Sequence, residues 1–184
     1  MGWRHLPKAA FQAMPWRNGG GTTWEIASGR FDGGGGEWHW RLSLAEIATD
    51  GPFSVFPNID RVLTVIAGEG IALRRDGADT RILHTGDAIR FMGEAAIDCT
   101  LLAGPTRDLN LMVDRRFARF RVNEPVIAEA GAVVLLYAFE DVEIAMEQER
   151  MTVAAGDAWM SEGGGAIVVN GRAFWAQIDA LSAA

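Results

Sequence analysis

Residues 38–44, Trp-His-Trp-Arg-Leu-Ser-Leu, alternate strictly in polarity, with Trp38, Trp40, Leu42 and Leu44 on one side and His39, Arg41 and Ser43 on the other. Successive side chains of extended backbone point to opposite faces, so this period of two predicts a half-buried strand. The same pattern runs through most of the chain. It predicts strands at 62–67, 71–75, 80–83, 88–91, 97–102 and 109–113, then a second series at 133–139, 142–146, 151–153, 158–160, 166–169 and 173–178. Asp76-Gly77 and Asn170-Gly171 suit tight hairpin turns, because both residue types tolerate positive φ. Many short strands at even spacing describe an all-β sandwich or barrel. Residues 115–121 are the one segment that predicts a short helical turn.

A short motif recurs. Ile82-Leu83-His84-Thr85-Gly86-Asp87-Ala88 resembles Val153-Ala154-Ala155-Gly156-Asp157-Ala158-Trp159. In each, Gly-Asp joins two apolar runs, and glycine is expected to supply a positive φ while the aspartate binds local backbone. The repeat predicts two similar halves in one chain. The glycines at 33–36 predict a surface hairpin tip, since no strand–glycine–helix context supports a phosphate cradle.

Composition excludes some functions. With 24 acidic against 17 basic residues the net charge is -7, which argues against a nucleic-acid partner but not against a small basic pocket. The chain begins without a continuous apolar stretch and has none long enough to span a membrane, so neither a leader nor a membrane partner is expected. A single cysteine, Cys99, permits no internal disulfide and fits a cytoplasmic protein. It lies in an apolar run and is expected to be a buried, inert thiol.

Three segments carry chemistry. Met14–Ala27 gathers Trp16, Arg17, Asn18, Gly20 and Thr22 into one Gly-rich stretch, with a guanidinium fork suited to a carboxylate and backbone N–H groups free to approach it. In Gly51–Gly70, Phe53 and Phe56 are expected to anchor the chain to the core, and Arg61 opens an apolar strand. An Arg there usually faces solvent, but inside a concave site it would clamp an anion. In Ala103–Arg116, Asp108 and Asn110 share one face of a strand while Leu109 and Leu111 take the other. A buried Asp needs a partner, and Arg61, Arg41 or Arg107 can supply one. A structural ion pair with no ligand is the alternative. His39 and Ser43 join the candidates because they share a strand face with Arg41; a histidine there would make a pH-sensitive contact.

These segments resemble the HutD/Ves family. The resemblance rests on Met14-Pro15-Trp16-Arg17-Asn18-Gly19-Gly20-Gly21-Thr22 with Glu25-Ile26-Ala27, then Trp40-Arg41-Leu42-Ser43, Gly51-Pro52-Phe53-Ser54 through Phe56-Pro57, Asp60-Arg61, and Thr106-Arg107-Asp108-Leu109-Asn110-Leu111-Met112, in family order. It implies a bicupin fold: one HutD/Ves-type domain over 1–184, with cupin-like halves at about 14–116 and about 117–184. It also implies an accessory or regulatory role in histidine utilisation, with urocanate or formylglutamate as ligand. Phe91-Met92-Gly93-Glu94 departs from an Asp-rich family pattern at that place. Many cupins hold a metal through a His-x-His pair, but His5, His39 and His84 are scattered, so neither metal nor cofactor is expected.

The sequence therefore predicts a metal-free binding protein for a small acidic metabolite, with Trp16, Arg17, Asn18, Gly20, Thr22, Arg41, Arg61, Asp108 and Asn110 as ligand contacts and no catalytic residue. The alternative is a metal-independent enzyme acting on a small carboxylate, with His39, Glu25 or Asp108 supplying acid–base chemistry. Edge strands also offer a route to a homodimer.

Overall fold

The computed structural model describes residues 2–16, 19–32, 35–75, 79–124, 126–128, 131–146, 149–162 and 165–181. In chain order its strands are β1 (Trp3–Leu6), β2 (Gln12–Pro15), β3 (Gly21–Gly29), β4 (Trp40–Ile47), β5 (Gly51–Pro52), β6 (Ile59–Ala67), β7 (Ile71–Arg75), β8 (Arg81–Leu83), β9 (Ala88–Met92), β10 (Ile97–Leu101), β11 (Thr106–Asp114), β12 (Ala118–Val122), β13 (Val126–Ala128), β14 (Val133–Ala138), β15 (Val142–Met146), β16 (Glu149–Val153), β17 (Ala158–Glu162), β18 (Gly165–Asn170) and β19 (Ala173–Ala180). A 3-10 turn at Lys8–Ala10 is the one helical element among the described residues. No helix among them is long and apolar enough to cross a membrane. The fold is all-β, and every strand pairing is antiparallel.

The chain divides into two compact units, residues 12–116 and residues 1–11 with 117–184. The first holds a six-stranded sheet, β2-β3-β4-β11-β6-β9, and a four-stranded sheet, β5-β10-β7-β8. Ile47, Leu63 and Val65 from the larger sheet pack with Ile71, Leu73, Ile97 and Cys99 from the smaller. Each buried aliphatic side chain contributes about 1.5–3 kcal/mol. The second unit holds β1-β17-β14-β19-β12 and β13-β18-β15-β16, with Val134, Leu136, Ile144 and Val153 in its core. None of these sheets closes on itself by hydrogen bonding among the described residues, so the barrel expectation is corrected to open sheets.

One pairing scheme is used twice. β4 to β11 and β12 to β19 are linked in the same order, with β7, β8 and β10 answering to β15, β16 and β18. The recurring Gly-Asp turns agree down to individual bonds. Gly86 N–H donates to Val65, Val65 N–H to Asp87 and Asp87 N–H to His84; Gly156 donates to Ala138, Ala138 to Asp157 and Asp157 to Ala154. Both glycines have positive φ, 100° and 85°. The aspartates differ. Asp87 accepts the local His84 N–H as expected, whereas Asp157 accepts Lys8 N–H and bonds His5, so it fastens the N-terminal segment rather than its own turn.

Two local expectations are corrected. Residues 115–117 turn and β12 begins at Ala118, with Ala118 and Phe120 buried between exposed Arg119 and Arg121; the period is two, and no helical turn forms. At the second hairpin Gly171 has φ 118°, while Asn170 stays within β18. Asp76, Gly77, Gly33 and Gly34 lie outside the described residues.

Candidate functional site

The inner face of the six-stranded sheet is built in three neighbouring rungs. Met14, Thr23, Ala45, Asp108 and Val65 are cross-strand neighbours in the first. Glu25, Ser43, Asn110 and Leu63 follow in the second. Ser28, Arg41, Met112, Arg61 and Phe91 complete the third. Because side chains alternate, these rungs present one face and the residues between them the other. Two irregularities adjust the register beside the site, between Glu25 and Ala27 and between Arg107 and Asp108. Bulges often serve to re-aim side chains in this way.

A cavity of about 490 Å³ opens over this face. Trp16, Thr23, Arg41, Ser43, Arg61, Asp108, Asn110 and Met112 line it, together with Pro52 at the end of β5 and Phe53, Ser54 and Phe56 from the segment that follows. Trp16 is held as a wall: its indole N–H donates to Thr23 Oγ1 at 2.8 Å, and its backbone N–H donates to Gly21 at 2.9 Å. A β-carbon on Gly21 would meet the Glu46 carbonyl and approach the indole to 3.1 Å, so only glycine admits the ring there.

The floor carries unusual charge. Arg61 is 6% exposed and Asp108 2%. The Arg61 guanidinium lies 4.9, 5.5 and 5.7 Å from the ring centroids of Phe91, Phe53 and Phe56, an arrangement that partly replaces lost hydration. Phe53 thus serves the cavity as well as the core, and Phe56 serves the cavity. Arg41 stacks on Trp38 at 5.0 Å and reaches Met112 Sδ at 3.3 Å. Burial lowers Arg61 to about 10, with Asp108 opposing and Arg41 adding to the shift. Burial also lowers Arg41, against Glu25 and Glu37. Burial pushes the Asp108 carboxyl up to about 7, even with Arg61 pulling it down. Arg107, the third proposed partner of Asp108, turns to the opposite face and pairs with Glu46 at 3.0 Å.

Seven buried side-chain polar atoms have no hydrogen-bond partner among the described residues: Arg41 Nε, Arg61 Nε, Asp108 Oδ1 and Asn110 Oδ1 in the first unit, and Trp159 Nε1, Ser161 Oγ and Gln177 Oε1 in the second. Each such group costs about 1–3 kcal/mol when left unsatisfied. Native folds rarely leave them so. The four of the first unit all belong to residues lining one cavity.

The structure gathers Trp16, Arg41, Ser43, Arg61, Asp108 and Asn110. Arg17 and Asn18 lie outside the described residues. Gly20 does not line the cavity; its carbonyl accepts Ala48 N–H at 2.9 Å and so ties the hairpin down. Thr22 is one residue out of register, paired with Glu46 on the outward rung, and Thr23 takes the inward place. His39 is fully buried away from the cavity. Its Nδ1 accepts Phe31 N–H at 3.0 Å and Nε2 faces the Gly35 carbonyl at 3.3 Å. Thr23, Ser54 and Met112 were missed by sequence reasoning. Counting by twos from Glu25 and Asn110 finds the first and last.

Cys99 is buried, and its thiol is pushed up to about 12 by burial, with Asp108 and Asp50 adding to the shift. No group of three or more His, Cys, Asp or Glu placed to hold a metal occurs among the described residues. The second unit does not repeat the charge pair. Matching the turns at Val65 and Ala138, Val134 falls on the rung of Arg61 and Ala173 on that of Asp108.

Comparison with known proteins finds relatives both by sequence and by fold. A family model described as HutD matches residues 8–175. An uncharacterized 21.2 kDa protein in the hutC 3′ region of Pseudomonas putida is 38% identical over 74% of this chain and 74% of its own. Protein Ves of Citrobacter koseri is 37% identical over 64% of this chain and 62% of its own. The solved structure of HutD from Pseudomonas fluorescens SBW25, formate condition, superposes with a TM-score of 0.87 at 30% identity, covering 98% of this chain and 100% of that one. Solved neighbours of low identity extend to cupin-like proteins, which share the fold alone.

Proposed function

The chain belongs to the HutD family, and from that premise we propose that it binds a small carboxylate metabolite in the cavity of the 12–116 unit without a metal. The observation that carries this reading is the set of unpaired Arg41, Arg61, Asp108 and Asn110 atoms around one apolar-walled space of about 490 Å³. A ligand carboxylate satisfies the two guanidinium Nε–H groups, and the Trp16, Phe53 and Phe56 rings strengthen that contact by excluding water. The P. putida relative's position beside hutC supports a place in histidine utilisation, with urocanate or formylglutamate as ligand and an accessory or regulatory role in the cytoplasm.

The buried carboxyl at about 7 also suits a general acid or base, so the second reading is a metal-independent enzyme for a small carboxylate substrate with Asp108 as its acid–base group. Thermal denaturation with urocanate, N-formylglutamate and acetate tests the first reading. A ligand at a hundred times its Kd adds about 2.7 kcal/mol to the folded state, and Arg61→Met abolishes that gain. No shift with any of the three, or an equal shift in the variant, overturns the seat. Recovery of the ligand unchanged after long incubation favours binding; consumption that stops in Asp108→Asn favours the enzyme.

A further inference from the structure

The cavity contains a charge conflict. It is read above as a seat for a carboxylate, yet its floor already holds one, Asp108, 2% exposed and with Oδ1 unpaired. A ligand carboxylate at Arg61 brings a second negative charge into the same water-poor space. Two like charges there do not persist together, and one group takes a proton.

The surroundings decide which group does so. From β6 the charged neighbour is Arg61, and from β4 it is Arg41, itself biased by Glu25 and Glu37. From β10 comes Cys99, which interacts with Asp108 and with Asp50 and stays a neutral thiol at about 12. On β11 itself Asn110 is neutral, and Arg107 faces Glu46 on the other side of the sheet. Arg41 and Arg61 are thus the cations of the cavity among the described residues, and neither forms a direct ion pair with Asp108. Burial keeps Asp108 near 7 even in the empty protein. A ligand carboxylate in bulk water is fully ionised near neutrality, so the proton is held by Asp108.

We propose that an anion entering the cavity draws a proton onto Asp108, so that this carboxyl turns from acceptor to donor and anion binding takes up one proton from solution. This rests on the carboxylate-binding reading. The protonated Asp108 joins Arg41 Nε–H and Arg61 Nε–H as a donor. The lining then offers hydrogens to an acceptor ligand in place of a competing charge. The linkage has a definite sign. Affinity for a permanently ionised carboxylate is flat where Asp108 is already protonated, and falls as pH rises past 7, approaching about tenfold per pH unit.

Titration calorimetry of the full chain with N-formylglutamate tests this from about pH 6 to about 8.5, in two buffers of different ionisation enthalpy. The ligand's carboxylates stay ionised over this range, which lies well above ordinary carboxyl values. Urocanate is unsuitable because an imidazole titrates in it. The expected result is proton uptake rising toward one per ligand as pH increases, with the affinity loss just given. Asp108→Asn supplies an N–H donor at every pH, so it binds with no proton uptake and no pH dependence. Wild-type binding that is independent of pH and buffer overturns the coupling and leaves the carboxylate seat standing. A folded Asp108→Asn that no longer binds also overturns it, because the charge is then needed as an acceptor. If neither N-formylglutamate nor formate binds at any pH, the seat itself fails and the coupling falls with it.

Discussion

The guanidinium of Arg61 lies over the ring of Phe91, 4.9 Å from its centroid, on the rung where the two residues face each other across β6 and β9. With Phe53 and Phe56 the ring encloses the cation, but Nε keeps no hydrogen-bond partner among the described residues. Arg61→Met retains length and apolar contact while removing the charge. Exchange of a buried charge for an apolar side chain of similar volume is often near neutral in stability, so the unliganded variant is expected within about 2 kcal/mol of wild type. Carboxylate affinity is expected to drop by about a hundredfold, the value of one lost charge-assisted bond. Urea denaturation and calorimetry measure the two quantities separately. Equal affinity in the variant removes Arg61 from the seat.

Asp108 makes stability itself depend on pH. Its folded-state value of about 7 lies above the ordinary 3.8 of an aspartate, so between these limits the native state binds more protons than the unfolded chain. Stability therefore falls as pH rises through this window. The full cost above it is about 4 kcal/mol, an upper figure because other groups readjust. Asp108→Asn never ionises. It is expected to flatten the stability profile between pH 4 and 7 and to exceed wild type above neutrality. A profile in which wild type gains stability over that window, relative to the variant, refutes the raised carboxyl.

Much of this site was legible from period-2 reasoning, and its gaps have physical causes. Asp108 and Asn110 share a face because β11 is one uninterrupted ladder from Asp108 onward. The choice of Thr22 over Thr23 failed by one residue, and a one-residue slip inverts a strand's facing. The irregularity after Glu25 hides the register from any count begun further along the strand. His39 shares parity with Arg41 but precedes β4, where alternation no longer dictates direction; backbone bonds to Gly29 and Asp114 fix it instead. The closure of Trp16 over Gly21 depends on a hairpin contact that composition does not encode. The recurrence of the Gly-Asp turns was readable, yet β1's attachment to β17 was not, because its four residues lack apolar alternation.

Gly21 is predicted to be intolerant of even one added carbon. Its β-carbon would run into the Glu46 backbone carbonyl, which cannot swing aside, and would press on the Trp16 ring. Gly21→Ala is expected to cost about 1–3 kcal/mol through overpacking and to weaken ligand binding by moving the Trp16 wall. Gly51→Ala is the control, since nothing lies within 4 Å of its added carbon. Thermal melts and near-ultraviolet circular dichroism compare the two. A Gly21→Ala protein with wild-type melting and binding shows that the indole has another way to sit.

Asp157 fastens the N-terminal segment to the rest of its unit. Its Oδ1 accepts Lys8 N–H at 2.9 Å, and its Oδ2 bonds His5 Nε2 at 2.7 Å, with the imidazole stacked on Trp159 at 5.2 Å between centroids. Burial pushes the carboxyl up, but these two bonds and the nearby positive charges outweigh it and hold the group below its ordinary value. A depressed carboxyl stabilises the fold above its unfolded value of about 4, and the contribution disappears as pH falls through the folded value. Asp157→Ala removes it at every pH, with an expected loss of about 1–3 kcal/mol at neutrality. Amide hydrogen exchange is expected to speed up at Trp3–Leu6, because β1 pairs with β17 alone. Exchange unchanged at those amides would mean that the β1–β17 ladder holds β1 without its aspartate.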